Sequence, residues 1–118
     1  MSTAPAVAAQ FDFAKLTADV TAAMLAGQQA ADSVSDGGSC NLDGVHLSIP
    51  RQREAKVVAA LAEAGVHSEK GNYGWLGSGY MLNPSSAGQA DKRYAACEAI
   101  AKHLKAAGYD ACHFYLMD

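Results

Sequence analysis

The 118-residue chain is short of positive charge, and this shortage excludes several classes of partner. It carries 9 Lys and Arg against 12 Asp and Glu, for a formal net charge of −3. Nucleic acids and anionic membranes bind clustered cations, so the predicted partners include no nucleic acid and no membrane. The cations stand in small groups on predicted helices, among them Arg51, Arg53 and Lys56. We interpret these groups as solvated helix faces.

Cysteine and long apolar runs are also scarce. The chain has three cysteines, Cys40, Cys97 and Cys112, and no CxxC pair. Residues 1–10 contain no cation and no long apolar stretch, so no secretory signal is predicted. No run approaches the ~20 apolar residues that a membrane-spanning helix needs. These features predict a cytoplasmic protein with free thiols, in which Cys97 and Cys112 face inward and only Cys40 is reactive.

Motifs for catalysis and for metal binding are missing as well. The chain has no GxSxG elbow, and its segment GWLGSG lacks the GK[ST] ending of a phosphate-binding loop. A metal site would have to combine His46 and His113 with His67 or Cys40. These residues lack the close spacing of zinc ligands. The sequence therefore predicts no catalytic residue, no metal and no cofactor.

What the chain does contain is a repeated unit of strand, proline, helix, Ala-Gly and strand. The first copy spans 45–68, and the second begins at 79 and runs into the C-terminal strand. Pro50 suits the first turn of a helix, where its missing N–H is not needed, and Gly65 and Gly108 suit helix ends. The repeat predicts strands near 45–49, 79–83 and 110–117, and helices near 51–64 and 87–107.

The order of these elements predicts the fold. With a further, short strand from Val66 to about Tyr73, residues 44–118 read β-α-β-β-α-β. This order resembles the ferredoxin-like split βαβ arrangement, an α+β sandwich in which the last strand lies antiparallel beside the first. If 66–73 is not a strand, the alternative is a three-stranded α/β sandwich. Residues 1–10 are predicted to be a disordered tail and 11–118 a single α/β domain.

An extra helix is predicted near 13–34, before the repeat. Asp12 is placed to cap it, and apolar or small residues recur along it at spacings of three and four. Such a stripe packs either on the core of the same chain, which we favour, or on a second copy. We expect this helix to lie partly over the sheet face that the two later helices leave uncovered.

The candidate site follows from the alternation of side chains along two strands. His46 and Ser48 alternate with apolar residues, so they should face away from the core. In the last strand neither face is polar, and we place His113 and Tyr115 beside His46 and Ser48 as cross-strand neighbours. The aromatic hairpin near 73–75 could close over one end, although a tryptophan between glycines more often caps the core. The predicted ligand-binding residues are His46, Ser48, Tyr73, Trp75, His113 and Tyr115.

Three classes of function are compatible with these observations. The first, which we favour, is a small non-enzymatic binding or regulatory module that engages a protein partner or a small ligand. The second is a small enzyme using the His/Ser/Tyr cluster, and the third is a protein that forms a homodimer through its N-terminal helix. A charge-free surface of imidazole, phenol and indole groups favours an uncharged or aromatic ligand or an apolar protein patch. The alanine-rich chain resembles small uncharacterised proteins of Burkholderia-type bacteria, which implies no activity.

Overall fold

The computed structural model describes residues 10–35, 43–84 and 90–114. Within these ranges the chain forms three α-helices, four strands and one 3₁₀ turn. The helices are α1 (Phe13–Asp32), α2 (Glu54–Glu63) and α3 (Ala90–Ala106), and the strands are β1 (Gly44–Ser48), β2 (Lys70–Asn72), β3 (Ser78–Leu82) and β4 (Asp110–Phe114), with the 3₁₀ turn at Gly74–Leu76.

The four strands form one antiparallel sheet in the order β2-β3-β1-β4. This is the order of the ferredoxin-like β-α-β-β-α-β sandwich, and the predicted fold class is confirmed. The last strand lies beside the first and antiparallel to it, as expected. The second strand is present but only three residues long, so the three-stranded alternative is not needed.

Local chemistry sets the ends of the helices. The Asp12 carboxylate accepts a hydrogen bond from the Lys15 backbone N–H at 2.9 Å, which caps α1 as predicted. After α2 and α3 the chain turns through Gly65 and Gly108, whose φ angles of +84° and +102° favour glycine.

All three helices pack on the same face of the sheet. α1 runs antiparallel to α3, since the Lys15 ammonium donates to the Ala107 carbonyl and the Lys92 ammonium to the Ala31 carbonyl. The expectation that α1 would lie partly over the opposite face was therefore wrong. Its stripe of small residues lets the two backbones approach closely, and a Cβ at Gly27 would lie 2.7 Å from Ile100 Cγ1.

One core joins these helices to the sheet and makes the molecule a compact single α/β domain. The stripe of α1 is buried within this core, so its favoured intramolecular packing is the one observed. The largest fully buried side chains are Tyr80, Leu16, Leu47, Leu61, Leu82, Ile100, Leu104, Val20, Val45, Val57 and Cys97.

The orientation of β4 differs from the one expected. His113 pairs with Val45 and Ala111 with Leu47, so His113 faces the helices, while Cys112 pairs with His46 and faces away from them. We had predicted the reverse, with His113 facing away from the helices and Cys112 facing them. A shift of register by one residue exchanges the two faces of a strand. Because neither face of β4 is polar, the alternation of its side chains carried no information on this point.

Candidate functional site

The sheet face opposite the helices, called here the outer face, carries most of the predicted site. Pairing along β1, β3 and β4 places six side chains on it. His46 is buried, with 4% of its surface exposed, Asp110 is exposed, and the other four are half-buried. Thiol, thioether, aromatic and hydroxyl groups make up most of this surface, and the Asp110 carboxylate, beside Ser48 at the start of β4, is the one carboxylate among the six. The six are His46, Ser48, Met81, Asp110, Cys112 and Phe114.

Glycines make room on the outer face for two rings. Gly79 lies under the His46 imidazole, and a Cβ at Gly71 would lie 2.9 Å from the Tyr73 hydroxyl. The His46 Nε2 is 3.4 Å from the Gly77 carbonyl oxygen, which can only accept a hydrogen bond, so this nitrogen is the donor. His46 therefore helps to hold the turn that follows β2.

Tyr73 joins the aromatic groups of the outer face. Its ring lies edge-on to His46, with centroids 5.4 Å apart, and edge-on to Phe114 at 6.1 Å. Edge-to-face contacts at these distances are favourable because the positive ring edge meets the negative ring face. The structure thus brings the predicted residues His46 and Tyr73 together, and Phe114 joins them.

Trp75 projects from the 3₁₀ turn beside this face. Its side chain is 91% exposed, so the interpretation of Trp75 as a cap on the core was wrong. The turn reverses the chain between Gly74 and Gly77, whose φ angles are +63° and +80°, and the Tyr73 N–H closes it by donating to the Gly77 carbonyl at 3.0 Å. The aromatic side chain of this segment that packs on the sheet is that of Tyr73, which contacts His46 and Phe114.

His113 belongs to a separate cluster on the helix side of the sheet. Its Nε2 lies 2.9 Å from Asp43 Oδ2, its Nδ1 lies 2.8 Å from Glu98 Oε1, and its ring centroid is 4.8 Å from that of Tyr94. The imidazole and the Asp43 carboxylate are both buried, while Glu98 is half exposed. The sheet therefore separates His113 from His46, and the expected imidazole pair does not form.

The geometry of the His113 cluster suits a structural role. The Asp43 and Glu98 carboxylates accept hydrogen bonds, one at each ring nitrogen of His113, and so fix the plane of the imidazole. Arg93 adds a further link, because its Nε donates to the Asp43 carbonyl at 2.7 Å. These contacts tie β4, α3 and the start of β1 together. Among the described residues no group of His, Cys, Asp and Glu is arranged to hold a metal ion.

The two described thiols are not activated. Burial raises the pKa of Cys97 to about 12, against a smaller opposing effect of Arg93. Burial also raises the pKa of Cys112, although this residue lies across from His46 on the outer face. Both thiols remain protonated at neutral pH and are poor nucleophiles. Cys40, Tyr115 and residues 1–9 lie outside the described residues.

Four residues of the outer face were not among the predicted site residues: Met81, Asp110, Cys112 and Phe114. Cys112 was predicted to face inward, and the apolar side chains of Met81 and Phe114 carry no group that marks a strand residue as part of a site. A signal for this surface was present in Gly71 and Gly79. Glycines within strands often mark a close approach of other groups to the sheet, and here two rings lie above them.

Comparison with protein-family models, with curated proteins and with solved structures finds no match. No helix within the described ranges is both long enough and apolar enough to cross a membrane.

Proposed function

We propose that this protein is a small non-enzymatic binding module that engages a protein partner through its outer face and Trp75. The observation that carries the proposal is the indole of Trp75, 91% exposed on a glycine-bounded turn beside a largely uncharged sheet face. The partner surface is a mainly apolar or aromatic patch, since Asp110 is the only one of the six side chains on this face that is a carboxylate, ammonium or guanidinium group. We place the module in a bacterial cytoplasm, which the alanine-rich composition and the free thiols Cys97 and Cys112 support.

A protein patch fits this surface better than a small molecule does. Small ligands are usually held in concave sites that cover most of their surface, whereas an indole with 91% of its surface exposed is held in no such cavity. A projecting tryptophan can instead enter a pocket on a partner. Tryptophan is among the residues that dominate binding energy at protein interfaces, where truncation to alanine costs about 2 kcal/mol or more.

The turn gives Trp75 a defined position before binding. Backbone hydrogen bonds join Tyr73 to Gly77 and Gly77 to Gly74, each at 3.0 Å, and the Tyr73 ring rests against His46 and Phe114. A side chain held in this way loses less conformational freedom on association. The buried imidazole of His46 is committed to this turn, which favours a binding role over an enzymatic one for the His/Ser/Tyr cluster.

The partner can be found by crosslinking and then tested quantitatively. Trp75 is replaced by p-benzoylphenylalanine, an aromatic photo-crosslinker, and the full-length protein is irradiated in cells that naturally produce it. The same amino acid at Leu25, which is 59% exposed on α1, is the control. We expect a protein that crosslinks at position 75 and not at position 25.

The affinity of the purified partner then decides the proposal. By calorimetry, Trp75→Ala should weaken binding about 30-fold or more, as expected for loss of an interface tryptophan, while Leu25→Ala should leave it unchanged. Equal affinities of the wild type and Trp75→Ala would overturn the proposal. So would the absence of any crosslink specific to position 75. A crosslink between two copies of this chain would assign the surface to self-association instead.

A further inference from the structure

A groove lies between the start of α1 and the start of α2, away from the outer face. Its volume is about 490 Å³, and it is lined by two aromatic rings and three cationic side chains. We propose that this groove, called here the basic groove, binds a small phosphorylated molecule that contains a ring, such as a nucleoside monophosphate. Its residues are Phe11, Phe13, Arg51, Arg53 and Lys56.

The charge of the groove is the first argument. Arg51, Arg53 and Lys56 supply three of the nine cations of a chain whose net charge is −3. Among the described residues none of the three forms an ion pair, and no acidic residue lines the groove. Three unpaired cations in one concave place attract an anion more strongly than the same charges spread over a surface.

The two nearest carboxylates in the sequence, Asp12 and Glu54, form hydrogen bonds with backbone N–H groups and not with the three cations. Glu54, the first residue of α2, accepts a hydrogen bond from the Lys70 backbone N–H at 3.2 Å. Asp12 accepts from the Lys15 N–H as the cap of α1. Arg53 stands at the N-cap position of α2 and makes no capping side-chain hydrogen bond there. The positive end of α2 thus adds to the attraction for an anion.

Two phenylalanine rings form one wall of the groove, and this wall indicates that the ligand also contains a ring. Phe11 and Phe13 meet edge to face, with centroids 4.8 Å apart, and the Lys56 ammonium lies 5.9 Å from the centre of the Phe13 ring. A ring on the ligand can pack on this wall while guanidinium groups hold its phosphate, a geometry that arginine matches with paired N–H donors. The volume of the groove suits a small molecule, and the acidity of the whole chain disfavours a nucleic-acid strand.

The test uses the full-length, isotope-labelled protein at low salt, titrated with adenosine monophosphate, inorganic phosphate and adenosine. Amide chemical shifts should saturate with adenosine monophosphate at residues 51–56, and inorganic phosphate should bind about tenfold more weakly because it lacks the ring. Adenosine alone should give no saturation. The absence of saturable shifts with millimolar adenosine monophosphate would overturn the proposal.

Matched variants separate a specific site from general attraction. The double variant Arg51→Gln, Arg53→Gln should reduce the affinity for adenosine monophosphate at least about tenfold. The control, Lys102→Gln with Lys105→Gln, removes the same charge from exposed positions of α3 and should have little effect. Equal losses in the two double variants would overturn the proposal, as would far tighter binding of a single-stranded oligonucleotide. Trp75→Ala should retain this binding, so this site and the outer face are tested independently. Thermal unfolding of each variant checks that it is folded.

Discussion

At the scale of single residues, Tyr80 shows what burial costs a polar group. Its side chain is 1% exposed, and its hydroxyl has no hydrogen-bond partner within the described parts of the chain. Burial raises the pKa of Tyr80, and the charge of Glu54 adds to that effect. The ring therefore contributes to the core, while its hydroxyl has lost water without gaining a partner.

Removing that hydroxyl should stabilise the protein. We expect Tyr80→Phe to raise the free energy of unfolding by about 1 kcal/mol, since the desolvation cost disappears and the ring stays. Urea unfolding of the variant and the wild type measures the difference. A loss of stability of similar size would mean that the hydroxyl makes a hydrogen bond in solution, and the prediction would then be wrong.

At the scale of elements, the contact between α1 and α3 depends on Gly27. Alanine favours a helix over glycine by about 1 kcal/mol, so Gly27→Ala would stabilise an isolated α1. In the folded protein the added Cβ would lie 2.7 Å from Ile100 Cγ1 and 3.2 Å from the Ala96 carbonyl oxygen. Relieving these contacts requires the Ile100 side chain to repack and the two helices to separate slightly.

We therefore expect Gly27→Ala to lower the free energy of unfolding, by about 1 kcal/mol net, because overpacking costs roughly 1–3 kcal/mol. Thermal or urea unfolding gives the value. The matched test is a double-mutant cycle with Ile100→Ala, which creates room for the new methyl group. In that background Gly27→Ala should be stabilising. A stabilising effect in the wild-type background would show that α1 and α3 are not in close contact at this point.

At the scale of the whole molecule, Tyr109 connects the two ends of the described chain. It precedes β4, and its hydroxyl donates to the Asp19 carboxylate of α1 at 2.8 Å. Lys15 also pairs with Asp19 and lies 5.0 Å from the centre of the Tyr109 ring. Burial raises the pKa of Tyr109 well above its ordinary value of 10, and the hydrogen bond to Asp19 raises it further.

This shift predicts a loss of stability in alkali. Above pH 10 the unfolded chain releases the phenol proton while the folded chain keeps it, so the free energy of unfolding falls as pH rises. Tyr109 should contribute up to about 1 kcal/mol per pH unit to this fall. Urea unfolding of the wild type and Tyr109→Phe across the alkaline range measures it. The variant should show a smaller fall, and parallel curves would contradict the prediction.

Local chemistry explains why much of the fold was predictable. The cap at Asp12 and the helix stops at Gly65 and Gly108 depend on residues next to each other in the chain. The order of strands and helices along the chain resembles the ferredoxin-like arrangement. That arrangement specifies which strands are neighbours in the sheet, and the observed sheet has these neighbours. For the candidate site, the same alternation correctly placed His46 and Ser48 on the outer face.

Three features were decided only by tertiary structure. Both faces of β4 are apolar enough to be buried, and the burial of His113 depends on Asp43 and Glu98, which are distant in sequence. The side on which α1 docks depends on a close approach at Gly27, and the exposure of Trp75 depends on Tyr73 taking the place against the sheet. Each choice is made by contacts between distant segments. Capping and periodicity depend only on residues that are near one another in the sequence. The sequence by itself therefore determined the helices and strands and their order. Packing between distant segments determined which side chains face the candidate site.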